Sequence, residues 1–533
     1  MKSLIAAAIA ATLVSSAALA HRRDGEIELQ PLASISTQAQ GTTGAEIVAY
    51  DAATRRAFAI NSSDNDLAVI DLSDPAAPVL AGKVSLDAYG AGLNSVDTHR
   101  GLVAVAVEAA PKTDPGKVVF LDARTLKVRG AVTVGALPDM LTFTDDGRKV
   151  LVANEGEPDS YGQAGSVNPE GSISIIDLRA GAGAAVVNTA DFASFNDSKA
   201  ALVAAGVRIF GPGATVAQDL EPEYITVQGR TAWVTLQEAN ALAIVDIPTA
   251  TVQDIAPLGR KDHSQPGAGL DPSDRDGAGN TATVNVGNWP VQGLYQPDAI
   301  ASLRVGPRLL LVTANEGDSR SSDDFPGFNE EVRVGSGSYR LDPTAFPDAA
   351  RLKTNAALAR LTVTNASGDT DGDGDFDRIE AFGARSISVW TPDGELLADS
   401  GDAIERYLAD PANGYDALFN ANNTGNAPDD RSDNKGPEPE GVAIGRIGSK
   451  PYAFVTLERV GGVMAFDLSN PRAPRIADYA NTRTPGASVG GDLGPEGVTF
   501  IPEDESPNRR PLVLVGNEVS KTVTVFQVNR SRR

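Results

Sequence analysis

Short runs of β-branched and small apolar residues, most of them ending in Asp, recur along the whole chain. They read LAVID at 67–71, VVFLD at 118–122, ISIID at 173–177, LAIVD at 242–246, ISVWT at 387–391, VMAFD at 463–467 and VTVFQ at 523–527. A second apolar run precedes each of the seven. These end at Ile60-Asn61, Val107-Glu108, Asn154-Glu155, Gln237-Glu238, Asn315-Glu316, Leu457-Glu458 and Asn517-Glu518. Earlier still, a Pro and a carboxylate often open a further apolar run, as in Pro138-Asp139, Pro222-Glu223, Pro297-Asp298, Pro439-Glu440 and Pro495-Glu496. With a fourth short strand after each Asp, the unit is four strands separated by Gly, Pro, Asn and Asp turns. Tandem sandwiches would also give many short strands. Seven copies with one strand order predict an all-β, seven-bladed β-propeller instead.

The blades are expected near 46–90, 93–135, 137–190, 217–259, 296–402, 437–482 and 494–528. An extra strand from Glu26 to Thr37 is placed to pair with the last blade and close the ring. The Asp residues that end the third strands read as caps of the following turns.

In an antiparallel blade the start of the first strand and the end of the second lie on one face. Asp139, Glu223, Asp298, Glu440 and Glu496 mark the starts, and Glu108, Glu155, Glu238, Glu316, Glu458 and Glu518 mark the ends. Eleven carboxylates are thereby predicted around one mouth of the channel. The irregular stretches 155–171, 191–216, 260–295, 316–384 and 403–436 all open onto that face, where long loops carry function. A solvated acidic rim is the plain alternative.

Charge sharpens this picture. The 533 residues carry 46 Lys and Arg against 70 Asp and Glu, a formal net charge of −24, with three His and no Cys. Disulfides, thiolate-held metals and thiolate nucleophiles are excluded. Phosphate backbones and anionic lipid are disfavoured, so neither nucleic acid binding nor membrane insertion is expected. Converging carboxylates instead call for cations, and oxygen-only sites suit calcium, magnesium or manganese. The candidate mouth cluster is Glu155, Glu157, Asp159, Glu316, Asp318, Glu438, Glu440 and Glu496. Two segments within it, Asn154-Glu155-Gly156-Glu157-Pro158-Asp159 and Asn315-Glu316-Gly317-Asp318, set acids around a Gly that permits a tight turn.

The largest insertion, 318–384, contains the stretch 369–380, DTDGDGDFDRIE. Asp369, Asp371, Asp373, Asp377 and Glu380 occupy positions 1, 3, 5, 9 and 12 of the EF-hand loop pattern. Gly374 stands at position 6, and Asp375 can offer its carbonyl at position 7. Strand-like flanks, 361–364 and 386–389, predict a Ca2+ loop without the usual helix pair. Six protein ligands would leave little room for substrate, which favours a structural ion.

Residues 1–20, MKSLIAAAIAATLVSSAALA, show a basic start, an apolar stretch and an A-x-A site. That is the pattern of a cleaved secretory signal. One domain over 21–533 is expected, exported to the periplasm or medium and soluble.

The stretches NEGEPDSYG at 154–162, ANEGD at 314–318, DTDGDGDFDRIEAFGARSIS at 369–388 and SDNKGPEPEGV at 432–442 resemble the choice-of-anchor I family. These are secreted β-propeller proteins related to mesenchyme-specific cell surface glycoprotein. The resemblance covers essentially the whole mature chain. Family members are named for varied C-terminal anchors, whereas this chain ends Asn529-Arg530-Ser531-Arg532-Arg533 without a sorting segment, which implies a free protein. Some relatives carry an alkaline phosphatase label, and the family is similar to phytase-like propellers. The resemblance thus implies phosphate-ester hydrolysis at an acidic, calcium-filled mouth, though a fold alone licenses no activity.

Two functions follow. In the first, carboxylate-held metal (Ca, Mn, Mg or Fe) activates water against a small-molecule phosphate ester, with Arg320, Lys435 and Arg459 as phosphate contacts. Ser/His/Asp hydrolysis is the weaker enzymatic variant, with only His99 and His263 as bases. In the second, a non-catalytic propeller binds a surface ligand, glycan or partner protein.

Overall fold

The computed structural model describes residues 27–321, 326–486 and 488–530; the expected leader lies outside them. Seven four-stranded antiparallel sheets follow one another along the chain. They span 48–85, 92–136, 138–191, 222–257, 300–399, 439–480 and 495–530, here blades 1 to 7. The first strand of each blade packs beside the first strand of the next, and that of blade 7 beside that of blade 1. This circular neighbour relation makes the molecule a seven-bladed β-propeller. Blade 7 takes its outermost strand from the N-terminal end: Ile27–Ser36 pairs antiparallel with Thr522–Arg530.

Burial explains the apolar pattern. Middle strands are covered on both faces by neighbouring blades, so they read as unbroken apolar runs. Leu102–Glu108 is buried except at its two ends and Lys149–Asn154 except at Lys149, whereas the outer strand Val186–Asp191 is mostly exposed. The Asp residues ending the third strands do cap turns. Asp122 accepts from Thr125 N and Oγ1 at 2.7 and 2.9 Å, and Asp246 from Thr249 N and Oγ1 at 2.9 and 2.8 Å.

The insertions 260–295 and 316–384 build a further sheet that the sequence pattern does not announce. Its spatial order is Arg260–Asp262, Val291–Leu294, Ile379–Ala381, Thr362–Thr364, Glu331–Arg333, and its second and third strands pair in parallel. Strands of three or four residues are too short to show alternation. A separate core including Val291, Tyr339, Leu352, Leu361, Val363 and Ile379 holds them together.

Candidate metal centre at the channel mouth

The ring begins with a repeated backbone device. In blades 3, 4, 6 and 7 the register skips just after Pro138, Pro222, Pro439 and Pro495, and the carboxylate that follows each Pro falls in the skip. Proline needs no ladder donor there, and such a bulge re-aims the next side chain. Seven equivalent positions result: Glu46, Asn94, Asp139, Glu223, Asp298, Glu440 and Glu496. Six are acids and one is Asn. Glu46 escapes the sequence reading because Ala45 stands where five of the blades carry Pro; its place before the first strand of blade 1 is the signal that finds it.

A second device positions the acids at the ends of the second strands. The Asn154 amide donates to Ser172 Oγ and Ser174 Oγ at 3.2 and 3.0 Å. The Asn315 amide makes the same pair of bonds to Ser386 and Ser388 at 3.1 and 2.8 Å. Each Asn pins its strand to the third strand, so the next residue, Glu155 or Glu316, leaves the sheet at a fixed point. The Gly after each Glu has positive φ, 73° at Gly156 and 92° at Gly317. A Cβ on Gly317 would stand 2.2 Å from Gly383 N, so only Gly fits there.

In blades 4 and 6 a threonine takes over. Thr235 Oγ1 accepts from Tyr224 N at 2.8 Å and donates to Asp298 O at 2.9 Å. Thr456 Oγ1 accepts from Gly441 N at 2.8 Å and donates to Glu496 O at 2.8 Å. Each ties the residue after its own blade's ring position to the ring residue of the next blade.

These devices bring Glu316, Glu440 and Glu458 together, with one carboxylate oxygen from each lying within 4.8 Å of the others. They border a cavity of about 250 Å3 that also holds Asp318, Glu496, Lys435 and Arg459. Glu316 is 8% exposed; Lys435 Nζ contacts one of its oxygens and Gln237 Nε2 donates to the other at 2.9 Å. Lys435 also lies 3.8 Å from Asp318 and 3.3 Å from Glu438. Arg459 lies 3.0 Å from both Glu438 and Glu458. Deeper on the axis a second cavity, about 230 Å3, is lined by Glu46, Glu108, Asp139, Asp298 and Glu496, with Tyr224 and no Lys or Arg.

Crowding shows in the acidities. Burial first, then Glu316, Asp298 and Glu458, push the Glu440 carboxyl well above the usual range. Burial and neighbouring acids also raise Glu496, Asp298, Glu155 and Glu223 strongly. Burial raises Glu458 to about 8 against the opposing pull of Arg459. Burial with Glu157 and Glu108 raises Asp139 to about 7, and burial raises Glu46 to about 7. Carboxyls crowded in this way repel one another unless protons or cations reduce their charge. Its donor set is hard oxygen, which fits Ca2+, Mg2+ or Mn2+.

Four expected mouth residues are placed differently. Arg320 is fully buried, 2.5 Å from Asp219 and 2.8 Å from Glu221, with Phe210 over its guanidinium. It offers no face to a phosphate. Glu438 is buried among Arg431, Lys435 and Arg459 at 2.7, 3.3 and 3.0 Å. Burial opposes ionisation there, yet Lys435, Arg431 and Arg459 hold its carboxyl below the ordinary range. Its charge is already balanced, which leaves little for a metal. Asp159 is exposed and accepts from Val167 N at 3.0 Å within its own loop, and Glu157 is paired with Lys112. Lys112, Gln237 and Asp219 carry no sequence signal, because their partners Glu157, Glu316 and Arg320 come from other segments; Glu221 is marked by the Glu-Pro-Glu at 221–223, which repeats at 438–440.

Asp369, Asp371 and Asp373 converge on the exposed insertion loop, with oxygens within 4.8 Å of one another. Asp375 N donates to Asp373 at 3.0 Å, and Asp377 accepts from Thr370 N at 2.7 Å. Glu380 is fully buried in the insertion sheet, 2.6 Å from Arg260 and 3.2 Å from Arg378. The first three positions of the pattern are therefore gathered, while the twelfth is engaged by arginines.

Ring and mouth define a seven-bladed propeller with a carboxylate-lined channel. Residues 46–471 match the choice-of-anchor I domain, and the chain belongs to that family. It is 28% identical over 193 residues to gigasin-3a of Magallana gigas, covering 33% of this chain and 66% of that protein. It is 29% identical over 289 residues to the mesenchyme-specific cell surface glycoprotein of Strongylocentrotus purpuratus, covering 48% of this chain and 36% of that one. The chain thus spans less than two thirds of either relative's length. Hydrazine synthase of Kuenenia stuttgartiensis is a structural neighbour with TM-score 0.46 and 12% identity, over 92% of this chain and 97% of that one. Among the described residues no helix is long and apolar enough to cross a membrane.

Proposed function

We propose that this protein is an exported, metal-dependent phosphoesterase whose reaction centre is Glu316, Glu440 and Glu458. The observation that carries this reading is the convergence of those three carboxylates beside Lys435 and Arg459 in one cavity. A divalent cation held there would supply Lewis acidity and a water of lowered pKa. Lys435 Nζ and the Arg459 guanidinium border the same space and orient an anionic group by charge-assisted hydrogen bonds. Asp318 lines the cavity with a half-exposed side chain 3.8 Å from Lys435 Nζ, open to exchange of protons with solvent. It is suited to deliver a proton to a leaving oxygen. His263 is buried, with Nδ1 2.6 Å from the Ala268 carbonyl, and does not line this cavity.

The loop at 369–373 is proposed to bind Ca2+ and tighten the insertion. Chelation should then lower the melting temperature, and an unchanged melt in excess chelator would remove that assignment. Turnover of p-nitrophenyl phosphate and its bis-ester, with Ca2+, Mg2+, Mn2+ or iron added, tests the enzymatic reading. No turnover from a folded, metal-loaded protein would sink it. A non-catalytic propeller that binds a surface ligand, glycan or partner is the second reading. Its support is that Lys435 and Arg459 are already paired with carboxylates, and that a relative is named for the cell surface.

A further inference from the structure

Glu316, Glu440 and Glu458 converge, yet the positive charge around them is shared unevenly. Lys435 Nζ contacts Glu316, and Arg459 lies 3.0 Å from Glu458. Among the described residues no Lys or Arg forms an ion pair with Glu440, whose Oε2 is buried without a hydrogen-bond partner. A buried carboxyl oxygen without a donor is costly unless a cation or proton completes it.

Lys435 is fixed at its backbone and movable at its tip. Segment 432–436 is held by Arg385, which is 3% exposed and donates to Ser432 O at 2.8 Å and to Asn434 O at 2.6 Å. Gly436 N closes the segment on Arg431 O at 2.9 Å. The ammonium, on a flexible four-carbon stem, has acids on two sides. On one side it contacts Glu316 and donates to Gly317 O at 2.5 Å. On the other lies Glu438, 3.3 Å away and fully buried. A short swing of the stem takes Nζ from the first carboxylate to the second.

We infer that Lys435 is a tethered competitor of the metal. Its ammonium holds Glu316 in the metal-free protein, and a divalent ion gains that carboxylate by driving Nζ toward Glu438. Two cations on one carboxylate repel strongly where the surroundings are shielded from water. Lys435 thereby sets the metal affinity of the mouth without being a ligand. This regulation rests on the metal centre proposed above and not on turnover.

Mn2+ is the probe, in full-length chains that carry D369N/D371N/D373N so that the insertion loop is silent. Metal-stripped protein is titrated with Mn2+, and free Mn2+ is followed by electron paramagnetic resonance. Adding K435M should tighten binding about tenfold, within the ordinary range of coupling between two sites. Adding K112M removes a mouth cation that is paired with Glu157 instead, and should leave the affinity near that of the reference chain. Unchanged or weaker binding by K435M overturns the inference, and so does an equal gain in K112M, which would reduce the effect to general charge. Should K435M fail to fold, crystals of the unaltered protein with and without Mn2+ decide. Nζ withdrawn from Glu316 to Glu438 in the Mn2+ form supports the competition; Nζ still on Glu316 beside the ion overturns it. Mn2+ missing from Glu316, Glu440 and Glu458 in both chains refutes the metal centre itself, and the competition with it. Mn2+ bound there with equal affinity in both refutes the competition alone.

Discussion

The two halves of the mouth share one architecture and differ in how their charge is balanced. On the side of blades 5 and 6, Arg431, Lys435 and Arg459 surround Glu438, and the last two reach the cavity as well. On the side of blades 3 and 4, Glu221 is the counterpart of Glu438, and its one buried cation is Arg320. Burial raises Glu221 despite that arginine, whereas Glu438 is held low. Cations that border a cavity are available to an anionic ligand; a cation sealed in the protein is not. The same acidic frame thus exposes its cations to a cavity on one side and seals its cation in the protein on the other.

The largest expected effect comes from the sealed cation. Arg320→Met leaves Asp219 and Glu221 buried and unbalanced, so it should cost about 3–5 kcal/mol of unfolding free energy, measured by denaturant titration. Lys435→Met should cost less, about 3 kcal/mol or below, because Arg431 and Arg459 remain beside Glu438. A reversed order would break the contrast between the halves.

Next comes catalysis. Glu440→Gln should lower phosphate-ester turnover about 100-fold, the scale of losing one well-placed electrostatic group. Glu223→Gln should lower it far less, as measured by kcat/KM at saturating metal. Equal losses would merge the two halves into one site.

The pH dependence of the metal-free protein sharpens the comparison further. The raised carboxyls bind protons in the native state to higher pH than in the unfolded chain, where they titrate near 4. Their contribution to stability is complete below about pH 4 and is lost as pH rises through about 7 and 8, the native values for Asp139, Glu46 and Glu458. The melting temperature without metal should therefore fall between pH 5 and 8.5, and Ca2+ should flatten the fall. The smallest effect is expected from D369N/D371N/D373N, which should remove only the part of the Ca2+-linked rise that belongs to the insertion.

Much of the fold was legible because seven copies of one unit repeat the same strand order, and strand order alone places Asp139 and Glu155 on one face. Glu46 was hidden by the loss of a single proline. Arg320 was misplaced for a different reason: its basic charge near a mouth loop says nothing about Asp219 and Glu221, about a hundred residues earlier. The five-stranded insertion sheet was invisible because it joins segments from separate insertions, each too short for a period. Within the acidic loop the spacing of Asp369, Asp371 and Asp373 was readable, yet the pull of Arg260 on Glu380 crosses from another insertion.

The strand Ile27–Ser36 is made early in synthesis but must wait for Thr522–Arg530, at the other end of the chain, before it has a partner. Closing so distant a pair is slow, because loop-closure entropy must be met before any contact rewards it. During that interval the strand is an open edge able to pair with other chains. Pro31 sits in its interior, at a register shift against Phe526 and Val525, and removes one backbone donor from that edge. Folding yield, more than final stability, is where a Pro31→Val chain should suffer.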